Sequence, residues 1–413
     1  MFRFRSQLAP SLLTVLLVFA QRSVARNAEP PRKAPDGSVL VGVDVLEEQN
    51  FDPLRGKRVG LITNQTGVDS RGRRTIDVLA SAPGVKLVAL FSPEHGIAGD
   101  SLNDSVGDST DKATVLPIYS LYGKTRRPTD EMLKGIDLLL FDIQDAGVRF
   151  YTYITTMAYS MEAAASHHIP FVILDRPDPL GGVVIEGPML DPGRTSFTAY
   201  FPLPVRYAMT IGELARMFNA ENHIGADLQI VLSRNWRRSW AYDQTGLSWI
   251  SPSPSLRTVN QAFLYPGVEI LQAGGVSVGR GTNTPFEVLG APWIDAETLT
   301  AELNGRNVPG VRFEATRFTP TDGPYTKQSC PGVKIQMTDR ASFRSVRMGL
   351  EIADALHRLY PEQFQLQKVI TLLGSQTTID RLSSGDAPRD IIASWSDALD
   401  KFREMREKYL LYH

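Results

Sequence analysis

The chain reads as an α/β protein, a parallel sheet domain followed by a smaller α+β portion. Three observations predict this. Short apolar runs at 57–63, 86–91, 137–143 and 170–174 alternate with helical stretches at 75–81, 129–133 and 149–168. That alternation is the pattern of strand–helix–strand units joined by right-handed crossovers. Three of these runs stop at polar clusters: Ser92-Pro93-Glu94-His95-Gly96, Asp142-Ile143-Gln144-Asp145, and Asp175-Arg176-Pro177-Asp178. In open α/β sheets the carboxyl ends of the strands are where ligands bind. Past Gly187 the strict alternation is lost, and strands at 311–318 and 333–338 precede helices at 343–359 and 395–409. The expectation is a Rossmann-like catalytic domain over 39–250 and a C-terminal auxiliary domain over 251–413.

Each element has a local reason. Val39–Leu46 is apolar and is expected as an edge element. Lys57–Thr63 is rich in β-branched residues and ends in the polar turn Asn64-Gln65-Thr66-Gly67. Residues 97–114 are rich in Asp, Ser and Gly, and a loop that long in a compact domain is usually functional or mobile. Thr129 is placed to cap a helix through Leu133, with Asp130 and Glu131 at its positive end. The stretch 149–168 is expected as one long helix, its packed face supplied by Met157, Met161 and Ala163–Ala165. Thr210-Ile-Gly-Glu213 is a capping box, and 228–232 is a further strand. Ser251-Pro-Ser-Pro254 breaks the pattern, and 274–284 is glycine-rich around Arg280.

The 413 residues are 42% hydrophobic and 22% charged, an ordinary globular balance with room for two or three domains. The net charge of −1 gives no basic field for nucleic acid. The single cysteine, Cys330, allows no internal disulfide and no thiolate metal cluster, and it reads as an inert thiol. The N-terminus carries Arg3 and Arg5, an apolar stretch from Ser11 to Ala20 and small residues at Ser23 and Ala25. It is expected to be a signal peptide over 1–25, followed by a Pro-rich linker over 26–38. The protein would then be periplasmic or secreted, with no membrane span after cleavage. The first strand is followed by no G-x-G-x-x-G, and no P-loop, H-E-x-x-H or G-x-S-x-G motif occurs. No cofactor and no metal are implied.

Four constellations carry chemistry. Glu94 and His95 sit in a Pro/Gly-framed turn at a strand end. A carboxyl group desolvated there is a general-acid candidate. The alternative is that Glu94 caps a turn while His95 bonds to backbone. Asp142, Gln144, Asp145 and Arg149 form the second set, with Arg149 facing a ligand anion or pairing with Asp145. Asp175, Arg176 and Asp178, stiffened by two prolines, aim at a ligand or make a structural corner. In Gly279-Arg280-Gly281, the arginine grips a carboxylate or phosphate, or the loop packs between domains. Aromatics gather nearby, among them Tyr119, Tyr122, Phe150, Tyr151 and Tyr153, and rings of this kind stack on sugars or fill cores. Separated carboxylates with aromatics and an arginine suit glycoside hydrolysis and equally a carboxylate-lined metal site.

At this point the motifs resemble a known family. VGLITNQTGVD, FSPEHGIAGD, LPIYSLYGKTRRPT, DLLLFDIQDAGVRFYTYITTM, ILDRPDPLGGVVIEGP and GRGTNTPFEVLGAPW are similar to the exo-β-N-acetylmuramidase family, in one collinear run over about 40–413. The resemblance implies a secreted or periplasmic glycoside hydrolase that releases N-acetylmuramic acid from the non-reducing ends of peptidoglycan fragments. It implies a site in the cleft between a Rossmann-like domain and an auxiliary domain, and Glu94 as the acid. By position alone, Asp142 and Asp145 stand as the expected catalytic partners beside Glu94 and His95, with Asp175 and Asp178 as alternatives for the second carboxylate. Asn64, Gln144, Arg149, Tyr151, Asp175, Arg176, Asp178 and Arg280 stand as the expected substrate contacts. One departure is visible. Many relatives carry an acid in the glycine-rich loop or in an E-G-T-N-like run, where this chain has Val278 and Gln272-Ala-Gly-Gly275. Two rival readings accompany this one: a catalytically silent cell-wall binding protein, and a metal-dependent hydrolase using the aspartates.

Overall fold

Apolar segments bounded by glycine and polar turns build the central sheet of the computed structural model, which describes residues 1–2, 37–103 and 105–413. Residues 3–36, which hold nearly all of the expected signal peptide and linker, lie outside the described residues. The strands, in chain order, are β1 (Arg58–Thr63), β2 (Lys86–Ser92), β3 (Ser109–Thr110), β4 (Pro117–Ser120), β5 (Leu138–Asp142) and β6 (Phe171–Leu174). After them come a two-stranded ribbon, β7 (Glu186–Met189) and β8 (Pro204–Arg206), and then β9 (Leu228–Val231). The main sheet runs β3-β4-β2-β1-β5-β6-β9, parallel throughout except for β3. Taken along the chain, its parallel strands have the order 3-2-1-4-5-6 of a doubly wound fold, reversing between β1 and β5. There Ile62 pairs with Phe141 and Thr63 with Asp142.

The connecting helices are α1 (Gly42–Glu48), α2 (Thr75–Ala80), α3 (Asp130–Leu133), α4 (Tyr153–Ser166) and α5 (Ile211–Glu221). Thr129 caps α3 through the Met132 N–H, and Thr210 and Glu213 close a capping box on α5. Two expectations shift. The segment 39–46 is not a sheet-edge strand. Leu40 bridges Arg234, and from Gly42 the chain turns helical. Gly42 packs so tightly on the end of β6 that a Cβ there would lie 2.5 Å from the Asp175 nitrogen, so only glycine fits. The long helix starts at Tyr153 rather than Arg149, and the Arg149 N–H donates to the Val205 carbonyl at 2.9 Å.

The C-terminal portion holds α6 (Val259–Gln272), β10 (Val288–Gly290), α7 (Ala296–Gly305), β11 (Val311–Phe318), β12 (Cys330–Met337) and α8 (Ser345–Leu359). Four shorter helices follow, α9 (Ile370–Leu373), α10 (Gln376–Ser383), α11 (Pro388–Ala393) and α12 (Ser396–Glu407). Its strands form an antiparallel sheet of order β10-β12-β11. Helix α6 was not foreseen, because Pro266 and Gly267 sit inside it. The interruption is used for packing. Gly267 donates to Ser345 Oγ at 2.8 Å and lies against Gly349 of α8, where no side chain fits. One apolar cluster runs from Ile62 and Phe141 in the sheet through Val268 of α6 to Leu356 of α8. It fixes α6 over the carboxyl edge of the sheet.

Candidate active site

Glu94 leaves β2 in a tight turn. His95 adopts φ 68° and Gly96 φ 76°, and the His95 Nδ1 lies 2.7 Å from the Ser101 carbonyl. The ring therefore ties the long loop back onto the turn. Glu94 Oε2 accepts from Thr152 Oγ1 at 2.5 Å, while among the described residues its other oxygen accepts nothing. Thr152 immediately precedes α4, so the helix start fixes the carboxylate.

Glu94 and His95 open into a pocket of about 170 Å³ whose other walls are Tyr151, Tyr265, Glu269 and Arg280. Tyr151 stands edge-on to Tyr153 at 4.8 Å and to Tyr265 at 6.0 Å. Arg280 reaches in from the glycine-rich loop. Its Nη2 donates to Glu269 Oε1 at 2.5 Å and its Nε to Gln272 Oε1 at 3.0 Å. Nη1 makes no hydrogen bond with the described residues. Burial, the largest influence on Glu269, pushes its carboxyl up, and Glu94 adds to that rise while Arg280 opposes it. Glu269 Oε2 is buried without a partner. The glycines flanking Arg280 serve the turn. Both have φ above 70°, and a Cβ on Gly281 would strike Thr321 at 2.4 Å.

Glu269 is the residue that the sequence reading missed. It lies on the unforeseen α6, behind Pro266. A usable signal was present in Thr258-x-x-Gln261, where Thr258 Oγ accepts the Gln261 N–H at 3.1 Å and starts the helix.

The remaining expected residues do not line this pocket. Asp142 is fully buried. It accepts Arg176 Nε at 2.6 Å and Nη2 at 2.9 Å, with Thr75 Oγ1 on the same carboxylate. Arg176 borders a separate, smaller depression with Ser70 and Tyr242. Asp175 accepts from Thr210 Oγ1, the Gly212 N–H and the Tyr412 hydroxyl, which joins β6 to α5 and to the chain end. Asp145 accepts from the Tyr207 hydroxyl and the Gly147 N–H. Asp178 accepts the Leu180 N–H. Burial lifts the carboxyls of Asp145 and Asp175 to about 6 and that of Asp178 to about 7. Arg149 is 1% exposed and donates to four carbonyls, those of Pro188, Leu203, Leu372 and Leu373. It faces no ligand, and it acts as a strut behind the pocket wall at Leu372.

Asn64 and Gln144 meet at the strand-order reversal. The Asn64 Oδ1 holds Thr66, whose hydroxyl accepts the Gln144 N–H at 2.9 Å. Asn64 Nδ2 and Gln144 Oε1 are buried without partners. Among the described residues no group of three or more His, Cys, Asp or Glu side chains is arranged to hold a metal ion. Cys330 is buried on β12, where desolvation raises its thiol.

A doubly wound sheet that opens two glutamates, an arginine and a tyrosine wall into one pocket is the equipment of a glycoside hydrolase. The family model for the N-terminal part of exo-beta-N-acetylmuramidase NamZ matches residues 59–260, and the model for its C-terminal part matches 263–412. The chain belongs to this family. It is 44% identical over 409 residues to the peptidoglycan beta-N-acetylmuramidase NamZ of Bacillus subtilis (strain 168), covering 97% of this chain and 99% of that protein. Two DUF1343 family proteins of Bacteroides fragilis NCTC 9343 share the fold. One has a TM-score of 0.85 at 40% identity, covering 92% of this chain and all of that one. The other has a TM-score of 0.74 at 29% identity, covering 91% and 99%.

Proposed function

We propose that this enzyme releases N-acetylmuramic acid from the non-reducing ends of peptidoglycan fragments, with Glu94 as the proton donor to the glycosidic oxygen. The observation that carries the reading is the shared pocket of Glu94, Glu269 and Arg280 under a tyrosine wall. Thr152 holds one Glu94 oxygen and leaves the other for the leaving group. Glycoside hydrolysis needs a second carboxylate across the scissile bond. Glu269 takes that place, because Asp142 and Asp145 are sealed away from the pocket. In this role it stabilises positive charge at the anomeric carbon, attacks it or activates water. Arg280 pairs with Glu269, opposing the rise that burial imposes on its carboxyl, and offers Nη1 to the lactyl carboxylate of the muramic sugar. His95 holds the turn that presents Glu94. The arginine-rich start and apolar stretch of the N-terminus fit export to the periplasm or beyond, where peptidoglycan is met. No described helix is long and apolar enough to cross a membrane.

Glu94→Gln keeps the shape and the Thr152 contact but removes the proton. Turnover of a chromogenic N-acetylmuramide is expected to fall by about 10²-fold or more with an unchanged melting temperature. Turnover near that of the wild type removes Glu94 from the acid role.

A further inference from the structure

A second cavity, of about 420 Å³, lies between the loop after Leu180, the β8 residue Arg206, Phe263 of α6 and the turn leading into α8. Four arginines border it: Arg206, Arg238, Arg340 and Arg344. Arg238 is spent, with its donors on the Tyr412, Gly182 and Ala208 carbonyls and on Glu213. The other three are not. Arg206 is 3% exposed, yet its contacts to Glu186 and the Leu180 carbonyl are both long, at 3.4 Å, and its Nε has no partner. A guanidinium this buried normally satisfies its donors. Arg344 has no carboxylate partner among the described residues and donates Nη1 only to the Ala341 and Phe343 carbonyls. Arg340 pairs through Nη1 with Asp243 at 2.8 Å and lies 4.5 Å from the centre of the Phe263 ring.

Two carboxylates already face these arginines. Glu186 accepts the Arg347 N–H in the first turn of α8 with one oxygen and meets Arg206 at 3.4 Å with the other, Arg344 also acting on its charge, and Asp243 reaches only Arg340. Three guanidinium groups therefore keep free donors around one cavity. Most of the remaining wall is apolar, with Leu180, Phe263, Phe343 and Val183, the last 57% exposed at the rim, and Ser239 and Gln244 add two polar side chains.

We infer that this cavity is a docking site for the carboxylate of a short acidic peptide. Free guanidinium forks bind carboxylate and phosphate alike. The apolar wall favours an anion carried on an aliphatic body over a bare inorganic ion. The volume suits a ligand of a few residues, within the usual range of roughly 300–1,000 Å³ for small-ligand pockets. None of its residues lines the Glu94 pocket, so the site stands apart from the proposed chemistry.

Titration calorimetry of the full chain tests this with an N-acetylated Ala-Glu dipeptide, its uncharged N-acetylated diamide and inorganic phosphate at matched ionic strength. The acidic dipeptide should bind saturably and the amide should not. The double variant Arg340→Gln/Arg344→Gln should weaken dipeptide binding by about tenfold or more while turnover of a chromogenic muramide stays unchanged. Absence of saturable dipeptide binding overturns the assignment, as does binding unaffected by the variants. Phosphate binding as tightly as the dipeptide also overturns it in favour of a simple oxyanion site. The amide comparison needs no variant, so it decides the matter even if the double variant fails to fold.

Discussion

Glu94 and Asp142 sit at the carboxyl ends of β2 and β5, the two strands that flank β1, and their fates are opposite. Glu94 spends one oxygen on Thr152 and borders an open pocket. Asp142 spends both oxygens on Arg176 and Thr75 and has no exposed surface. Glu269 borders the same pocket as Glu94, whereas Asp145, Asp175 and Asp178 do not. Strand-end position brings a carboxylate to the ligand edge of the sheet, and what the rest of the chain lays over that edge decides whether it meets substrate. Over β6 the cover is the chain's own end, with the Tyr412 hydroxyl on Asp175 at 2.6 Å. Over β2 the cover is α6, which leaves a gap.

Breaking the sealed side should cost fold rather than chemistry. Asp142→Ala strands the Arg176 guanidinium, which is 3% exposed. An uncompensated buried charge of this kind costs about 3–5 kcal/mol, so chemical denaturation should show a loss of that size. Turnover per folded molecule should hold. A fully stable variant with lost turnover would move Asp142 to the open side.

Glu269→Gln should do the reverse. A drop in turnover of about tenfold or more is expected with little change in melting temperature. Because the glutamine still accepts from Arg280, the variant separates charge from position. Unchanged turnover would leave Glu269 as the anchor of Arg280 alone.

The smallest effect concerns pH. Asp178 has its carboxyl raised from 3.8 to about 7, chiefly by burial and further by Asp145. The folded state therefore holds a proton that the unfolded chain releases. This group's contribution to stability is complete below about pH 4 and is lost as pH climbs through 7. Asp178→Asn should flatten the fall in melting temperature between pH 4 and 8. A slope equal to that of the wild type would mean that Asp178 titrates as an ordinary carboxylate.

Much of this was legible in local pattern. The parallel strands announce themselves as apolar runs with polar stops, and Thr129 and Thr210 mark their helix starts. Arg149 was misread because its purpose is set at long range. Its partners include the carbonyls of Leu372 and Leu373, more than two hundred residues away. Taking 149 as a helix start suggested an anion that the helix, beginning at Tyr153, never asks for. Glu269 was hidden by Pro266 and Gly267, which read as a break and serve as a close crossing between α6 and α8. The aspartates were expected in one crevice because alternation along a strand says nothing about which side Tyr412 will later cover.

The central claim is that Glu94 donates the proton. Its most direct test compares the Glu94→Gln deficit on two aryl N-acetylmuramides that differ in leaving-group acidity, 4-nitrophenyl and 2,4-dinitrophenyl. A good leaving group needs little protonation, so the deficit should shrink by about tenfold or more on the dinitrophenyl substrate. An equal deficit on both substrates would contradict the account and assign Glu94 a role other than acid.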